Sequence, residues 1–485
     1  MSSSENSVGS PAGDRVSGNV TRAHALIESP RFKAAKAELL AIIGEASQSV
    51  RAIRPPAGES AVRESYLQEI KEFNALRGRD LYFPFLGSGL GSGPFVELKD
   101  GSVKLDMITG IGVNLFGHSN PDFIAEMIDA LPADVMQGNL EPGFEASELL
   151  KALLSRVGIA CRLKHAWLTT CGTMANEIAL KIIRQKKAPA TKVLAFQDCF
   201  AGRSTAMQEI TDNPAYRVGQ PVYGEVEYLP FYDSSIGLEA SVDRTLKRMR
   251  EHLSRFPDKF AALTLELVQG EGGFNFAPRD FYVRVFEEAK KFGLAIWVDE
   301  VQTFGRTGEL FAYQKFCLNE FVDVVTVAKS LQASVVIFSS EYNPKPGLVA
   351  GTFSGSSGAL RSARRVLEVL TGQGHLGPSG KIEMLSARFV DGLARVKRGL
   401  PEGALGEVRA IGAMIAFQPF AGKMDDIKAV LTRLFDLGVV AFYCGHGPYL
   451  IRMLPPFVTM NEKDVDLVCE LIGQALREEQ EKRKV

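Results

Sequence analysis

The sequence predicts an α/β protein, with a large domain built on a mostly parallel sheet between helices and a smaller α+β domain beside it. Three observations carry this. From about residue 164 to residue 360, short apolar runs alternate with loops and helical stretches, the rhythm of a parallel sheet with helices packed on it. Two of those runs, at 294–298 and 322–328, are rich in apolar and β-branched residues, as strands covered on both faces require. Beyond residue 360 the alternation continues but loses regularity, which suits a smaller mixed domain.

Taken in order, residues 1–80 read as a tail followed by helices, 81–130 as the N-terminal part of the small domain, 131–360 as the large domain and 361–485 as its C-terminal part. The stretch 1–19 is rich in Ser and Gly, carries Glu5, Asp14 and Arg15 and has no hydrophobic core, so it is not a secretory signal. Ser29-Pro30 makes an N-cap with proline at the first helical position and opens a helix over 31–47; a second fits 64–76. Gly87, Gly89, Gly91 and Gly93 crowd into one loop. Residues 95–106 alternate around Asp100-Gly101 as a hairpin, a glycine-containing stretch spans 109–118, and Pro121 starts another helix. Strands are expected at 165–168, 192–196, 261–268, 294–298 and 322–328. After a long helix over 360–370 come strand-like 413–417, a helix near 426–437, strand-like 438–442 and 449–453, and a last helix from Asn461 with a solvated, charged end.

With 46% hydrophobic and 23% charged residues, the 485-residue chain has the composition of an ordinary globular protein. Its formal net charge of −1 gives no global attraction to nucleic acid or to an anionic membrane. No apolar stretch is long enough to span a bilayer. The six cysteines, at 161, 171, 199, 317, 444 and 469, never form a Cys-x-x-Cys pair, so neither a disulfide framework nor a zinc site is indicated. Reduced thiols in a cytoplasmic protein are the expectation. The histidines, His118, His165 and His446 among them, lack ligand spacing, and no metal site is expected.

The chemistry is concentrated where two buried runs end in charges. The run 294–298 passes into Asp299 and then a glycine-punctuated loop, and the run 322–328 passes into Lys329. Open α/β sheets place ligands at such strand ends. Either residue alone is better read blandly, Asp299 as a cap of the following turn and Lys329 as a side chain snorkelling off a strand end. Together they match pyridoxal phosphate catalysis, which needs a lysine for a Schiff base and an acid that keeps the pyridine nitrogen protonated. A phosphate site is then required. Cys171, Gly172 and Thr173 stand between a short strand and a good helix former, where backbone N–H groups and the Thr173 hydroxyl could cradle an anion at the helix start. The turn has neither the lysine of a Walker loop nor the Gly-x-Gly-x-x-Gly of a dinucleotide fold.

These pieces, in this order, resemble the class III aminotransferases of the fold type I pyridoxal phosphate superfamily, which includes the ornithine, acetylornithine, lysine and 4-aminobutyrate enzymes. The similarity runs from about Val96 to the last helix. Cys171-Gly-Thr-Met-Ala-Asn-Glu177 is similar to the family's phosphate turn, and Phe200-Ala-Gly-Arg-Ser204 to a motif whose aromatic residue stacks on the pyridine and whose arginine grips a substrate carboxylate. Glu266-Leu-Val-Gln-Gly-Glu-Gly-Gly273 and Asp299-Glu-Val-Gln-Thr-Phe-Gly-Arg-Thr-Gly308 resemble two further signatures. The resemblance implies a seven-stranded large-domain sheet and the cofactor pyridoxal 5′-phosphate. It implies that Lys329 bonds the cofactor, Asp299 meets the ring nitrogen, Val301 packs under the ring, Gln302 meets the ring oxygen and Phe200 stacks above. It further implies that Cys171, Gly172 and Thr173 hold the phosphate and that Thr352 reaches the phosphate of a second copy, which makes a homodimer part of the site. Arg203, Glu271 and Arg452 are implied as substrate-binding residues, with Glu271 and Arg452 a switchable ion pair.

The expected reaction moves an amino group from an ω-amino or diamino acid to 2-oxoglutarate, giving glutamate. Aminomutases, racemases and decarboxylases share the same lysine and aspartate, and a noncatalytic relative of the fold is a further alternative. The departures bear on the substrate mouth: Ala201, Met174 and Leu267 replace the family's histidine, glutamate and proline, the loop after Gln302 lacks a glycine, and Ser330-Leu-Gln-Ala-Ser334 stands where the family is glycine-rich.

Overall fold

The structure, a computed structural model, describes residues 21–56, 58 and 60–483. The expectation of a loose tail over 1–19 lies outside the described residues. Seven strands form the central sheet: β1 (Leu163–Thr169), β2 (Lys192–Phe196), β3 (Val226–Leu229), β4 (Phe260–Leu265), β5 (Ala295–Asp299), β6 (Val324–Val327) and β7 (Ser334–Ser339). Their spatial order is β3-β2-β4-β5-β6-β7-β1. All neighbours run parallel except β7, which is antiparallel to both β6 and β1.

The strict two-residue period of a strand explains the layers. Ala295 and Trp297 on β5 pack with Val324, Val336 and the Ile178–Ile183 side of the helix Gly172–Lys187. Ile296 and Val298, one residue out of phase, join the larger core on the opposite face, with Met249 of helix Gly237–Arg255 and Phe281, Val285 and Phe286 of helix Arg279–Lys291. Both faces of β5 are therefore dry, which is why its sequence shows no alternation.

The smaller domain holds an antiparallel sheet of Leu405–Ile411, Met414–Pro419, Leu450–Met453 and Phe442–Cys444, with helices Met424–Asp436 and Glu462–Lys482 beside it. A second four-stranded sheet joins the two ends of the chain: Gly87–Ser92, Phe95–Leu98 and Val103–Asp106 are antiparallel, and Val439–Val440 adds in parallel. At the N-terminus, Ser29 Oγ accepts from Phe32 N and caps the helix Pro30–Gln48, as the Ser-Pro pair predicts. No helix among the described residues is long and apolar enough to cross a membrane.

Several expectations need correcting. The glycines at 87–93 do not make a loop; 87–92 form a strand with an irregularity between Gly87 and Gly91, because an antiparallel partner supplies hydrogen bonds that local propensity does not reveal. The stretch 438–442 is not one strand: Val439–Val440 and Phe442–Cys444 belong to different sheets. Likewise 261–268 breaks after Leu265, and Glu266 sits in the gap before Val268–Gln269. Strands β3 and Leu405–Ile411 carry no clear sequence signal, being short or half-polar. The unexpected β7 is legible in its residues, since Val335-Val-Ile-Phe338 at its centre has the apolar, β-branched character of a buried strand.

Candidate active site

Parallel β4, β5 and β6 all end at one edge of the sheet, and antiparallel β7 begins there. Asp299, the last residue of β5, lies opposite Thr326 on β6, three residues before Lys329. Ser334, the first residue of β7, lies opposite Thr169 at the end of β1, so the turn through Cys171 to the helix at Gly172 reaches the same edge. Residues more than a hundred positions apart meet because the strand directions agree.

Between them lies a cavity of about 410 Å³. Cys171, Gly172 and Thr173 form one wall, Phe200, Val301 and Gln302 contribute others, and Asp299 and Lys329 both face in. Asp299 is buried; Asn176 Nδ2 donates to its Oδ2 at 2.7 Å and Val301 N to its Oδ1 at 2.8 Å. Burial raises its pKa to about 6, against the pull of those two donors and of Lys329. The Lys329 amine is lowered to about 8, by burial first and by the positive charge of Arg452 second. Its backbone is left-handed at φ 50°, a strained setting for a residue with a Cβ. Glu266 accepts from Phe200 N and Gly270 N, each at 2.9 Å, and burial followed by the nearby Asp299 charge lifts it to about 8.

The residues fit a phosphorylated pyridine aldehyde. The helix that starts at Gly172 runs for 16 residues, and its first two, Gly172 and Thr173, line the cavity, where the unpaired N–H groups of a helix start favour an anion. A Cβ at Gly172 would meet Val301 Cγ1 at 2.7 Å, so only glycine lets the helix start approach the floor. Gln302 Oε1 is buried with no hydrogen-bond partner among the described residues, an acceptor matched to a ring hydroxyl. Among the described residues no group of three or more His, Cys, Asp or Glu could hold a metal ion.

Four expected residues stand off this cavity's walls. Arg452 is buried; its Nη2 lies 2.9 Å from Glu271 Oε2 and its Nη1 donates to Gly270 O at 3.0 Å. Arg203 is exposed and stacks over Tyr216, with Cζ 3.9 Å from the ring centroid. Thr352 is exposed and lines a separate hollow with Met174 and Lys181 that shares Thr170 with the main cavity.

Sequence reasoning missed Asn176, Glu266, Tyr216 and Gln332 as individual site residues. Asn176 was legible, since it lies four residues after Gly172 and so on the same helix face. Gln332, in the segment that stands where the family is glycine-rich, is left-handed at φ 64°, and its Nε2 donates to Val113 O at 2.8 Å. Tyr216 ends the short 3-10 turn Pro214–Tyr216, too brief for a periodic pattern to mark it.

Comparison with known proteins agrees with this geometry. The profile of the family "Aminotransferase class-III" matches residues 88–476. The diaminobutyrate–2-oxoglutarate transaminase of Wolinella succinogenes is 30% identical over 401 residues, covering 80% of this chain and 91% of that one. The acetylornithine aminotransferase of Mycolicibacterium smegmatis is 30% identical over 379 residues, covering 76% and 88%. Among solved structures, a lysine aminotransferase from M. tuberculosis superposes with a TM-score of 0.76 at 22% identity, covering 84% of this chain and 99% of that one. The ornithine aminotransferase of Toxoplasma gondii gives 0.73 at 23% identity, covering 86% and 99%. The chain belongs to the class-III aminotransferase family and is an enzyme that works with pyridoxal 5′-phosphate.

Proposed function

We propose that this enzyme moves an amino group from an ω-amino or diamino acid, of the diaminobutyrate, acetylornithine, ornithine, lysine or 4-aminobutyrate type, to 2-oxoglutarate, giving glutamate. The observation that carries the reading is the buried Glu271–Arg452 ion pair beside an amine-and-acid cavity. A masked arginine suits a donor that brings an amine to the cavity. Released, it suits an acceptor that brings an α-carboxylate, with Arg203 offering its fork to the second carboxylate. The two named relatives, one a 2-oxoglutarate transaminase and one an acetylornithine aminotransferase, support the same class.

Pyridoxal phosphate bound in this cavity supplies a carbonyl that condenses with amines and a ring that withdraws electrons. The chain's own residues do the rest. Lys329 Nζ, brought to about 8 by burial, can take up and return a proton close to neutral pH, as a general acid–base group must. Asp299, oriented by Asn176 and Val301, would favour a proton on a ring nitrogen placed against it. Thr173 and the helix start would hold the phosphate, Gln302 Oε1 would accept from the ring hydroxyl, and Phe200 and Val301 would pack on the ring.

The same reading places Thr352 in a site shared between two copies. Its exposure, and that of Leu140 (91%), Phe144 (59%) and Phe353 (58%), supports a homodimer that covers this side. It also places the small domain in 81–130 and 361–485, the cofactor-binding domain in 131–360 and the protein in the cytoplasm; the free cysteines support the last. A panel of amino donors scored by glutamate release tests the function. Turnover is expected to require added 2-oxoglutarate, and Arg203→Lys to raise KM for it. Turnover without any keto acid would instead indicate mutase, racemase or decarboxylase chemistry.

A further inference from the structure

The two arginines of the carboxylate end are joined through one side chain that no signature marked. Tyr216 lies under the Arg203 guanidinium, whose Cζ is 3.9 Å from the ring centroid, and its hydroxyl donates to Glu271 Oε1 at 2.8 Å. The other oxygen of Glu271, Oε2, holds Arg452 Nη2 at 2.9 Å. Phe200, on the wall of the cofactor cavity, meets the same tyrosine ring edge-on at 6.2 Å and 88°.

The chemistry of these contacts is uneven. Arg452 is paired, whereas Arg203 makes no hydrogen bond or ion pair among the described residues. A guanidinium stacked by its face keeps all its N–H groups at the rim, free to grip a carboxylate in a bidentate fork. The stack therefore orients Arg203 without using its donors. At the same ring, the O–H makes Glu271 hold two partners at once, which anchors it over Arg452. Burial and the facing Glu271 carboxylate raise the tyrosine pKa to about 12, so the hydroxyl remains a donor across the working range of the enzyme.

We propose that Tyr216 is a specificity-determining positioning residue: its ring presents Arg203 to the distal carboxylate of a dicarboxylate substrate, and its hydroxyl keeps Glu271 clamped on Arg452 until an α-carboxylate displaces it. The inference rests on the reading of 2-oxoglutarate as acceptor. It separates two functions within one side chain: Tyr216→Phe removes the hydroxyl alone and Tyr216→Leu removes ring and hydroxyl together, so the share of the ring is the difference between the two variants.

The experiment compares Tyr216→Leu with Tyr216→Phe in the holoenzyme, reading KM and kcat for 2-oxoglutarate and for the best amino donor. Calorimetric binding of glutarate, a dicarboxylate that cannot react, is measured in parallel. Tyr216→Leu is expected to raise KM for 2-oxoglutarate and weaken glutarate by about tenfold, with kcat and the cofactor's visible spectrum little changed. Tyr216→Phe keeps the ring and frees Glu271. It is expected to lower KM for 2-oxoglutarate about threefold and to raise KM for the donor, since Arg452 is less well masked. Equal behaviour of the two variants would overturn the proposal, as would unchanged 2-oxoglutarate and glutarate binding in Tyr216→Leu. If the unaltered enzyme neither binds glutarate nor needs 2-oxoglutarate, the acceptor reading fails and the proposal with it. If it does both and the variants behave alike, only the role of Tyr216 fails.

Discussion

At the cofactor end of the cleft, Asp299 and Lys329 stand at or just beyond the ends of adjoining strands, and Asp299 is held by a backbone N–H and a helix side chain. At the end proposed to hold the substrate carboxylates, Arg203, Tyr216, Glu271 and Arg452 come from two loops, a short 3-10 turn and one small-domain strand and are held mainly by one another. The backbone that carries the first set is fixed by the sheet or directly joined to it. In the proposed function the second set exchanges a side-chain partner for a substrate carboxylate of similar geometry. A fixed end suits a cofactor present through every turnover, and an exchangeable end suits an amine donor and a dicarboxylate acceptor that alternate in one site.

That contrast can be broken from either side. The largest effect is expected at the fixed end: Lys329→Ala should lower turnover by roughly 10⁴-fold, the upper range for a positioned acid–base group, with the far-UV spectrum unchanged. Asp299→Ala should follow at about 10³-fold in kcat with the fold intact, and normal turnover would refute its assignment. Gly172→Ala puts a Cβ against Val301 and should weaken cofactor affinity by about tenfold or more in an equilibrium titration. Unchanged affinity would show that the helix start is not as closely seated as the cavity geometry indicates. At the exchangeable end, Glu271→Ala should change preference more than rate, lowering KM for 2-oxoglutarate and raising it for the donor by about tenfold, while kcat moves little. A collapse of kcat would make that end as rigid as the other.

The smallest expected effect is on stability. The folded pKa of Lys329, about 8, lies below that of the unfolded chain, so the unfolded state binds more protons between pH 8 and 10.5 and stability rises with pH across that window. The cost of burying the ammonium is therefore present in full below pH 8. In cofactor-stripped protein Lys329→Met should be more stable than the parent at pH 7 by about 1 kcal/mol after allowance for partial exposure, and the gap should close by about pH 10.5. A gap that widens with pH would contradict the buried-amine account.

Asp299 and Glu300 show why site residues are only partly legible. Both are buried acids with raised pKa values, about 6 and about 7. Glu300 turns away from the cavity and accepts from Thr303 Oγ1 at 2.5 Å and from Ala312 N and Tyr313 N at 2.9 Å, a structural role. Burial does not distinguish them; the face of the strand does.

The sequence by itself determined five of the seven strands of the large-domain sheet, the lysine and acid at strand ends, and the strand-to-helix turn at 171–173. Each is written in a contiguous run whose apolar pattern or helix-start chemistry acts locally, so no distant partner is needed to recognise it. Tertiary structure alone decided that Gly87–Ser92 is a strand, that 438–442 divides between two sheets, and that Tyr216 bridges Arg203 and Glu271. Those outcomes depend on partners that arrive from far along the chain, and a hydrogen bond or a stacked ring leaves no periodic trace in either segment before they meet.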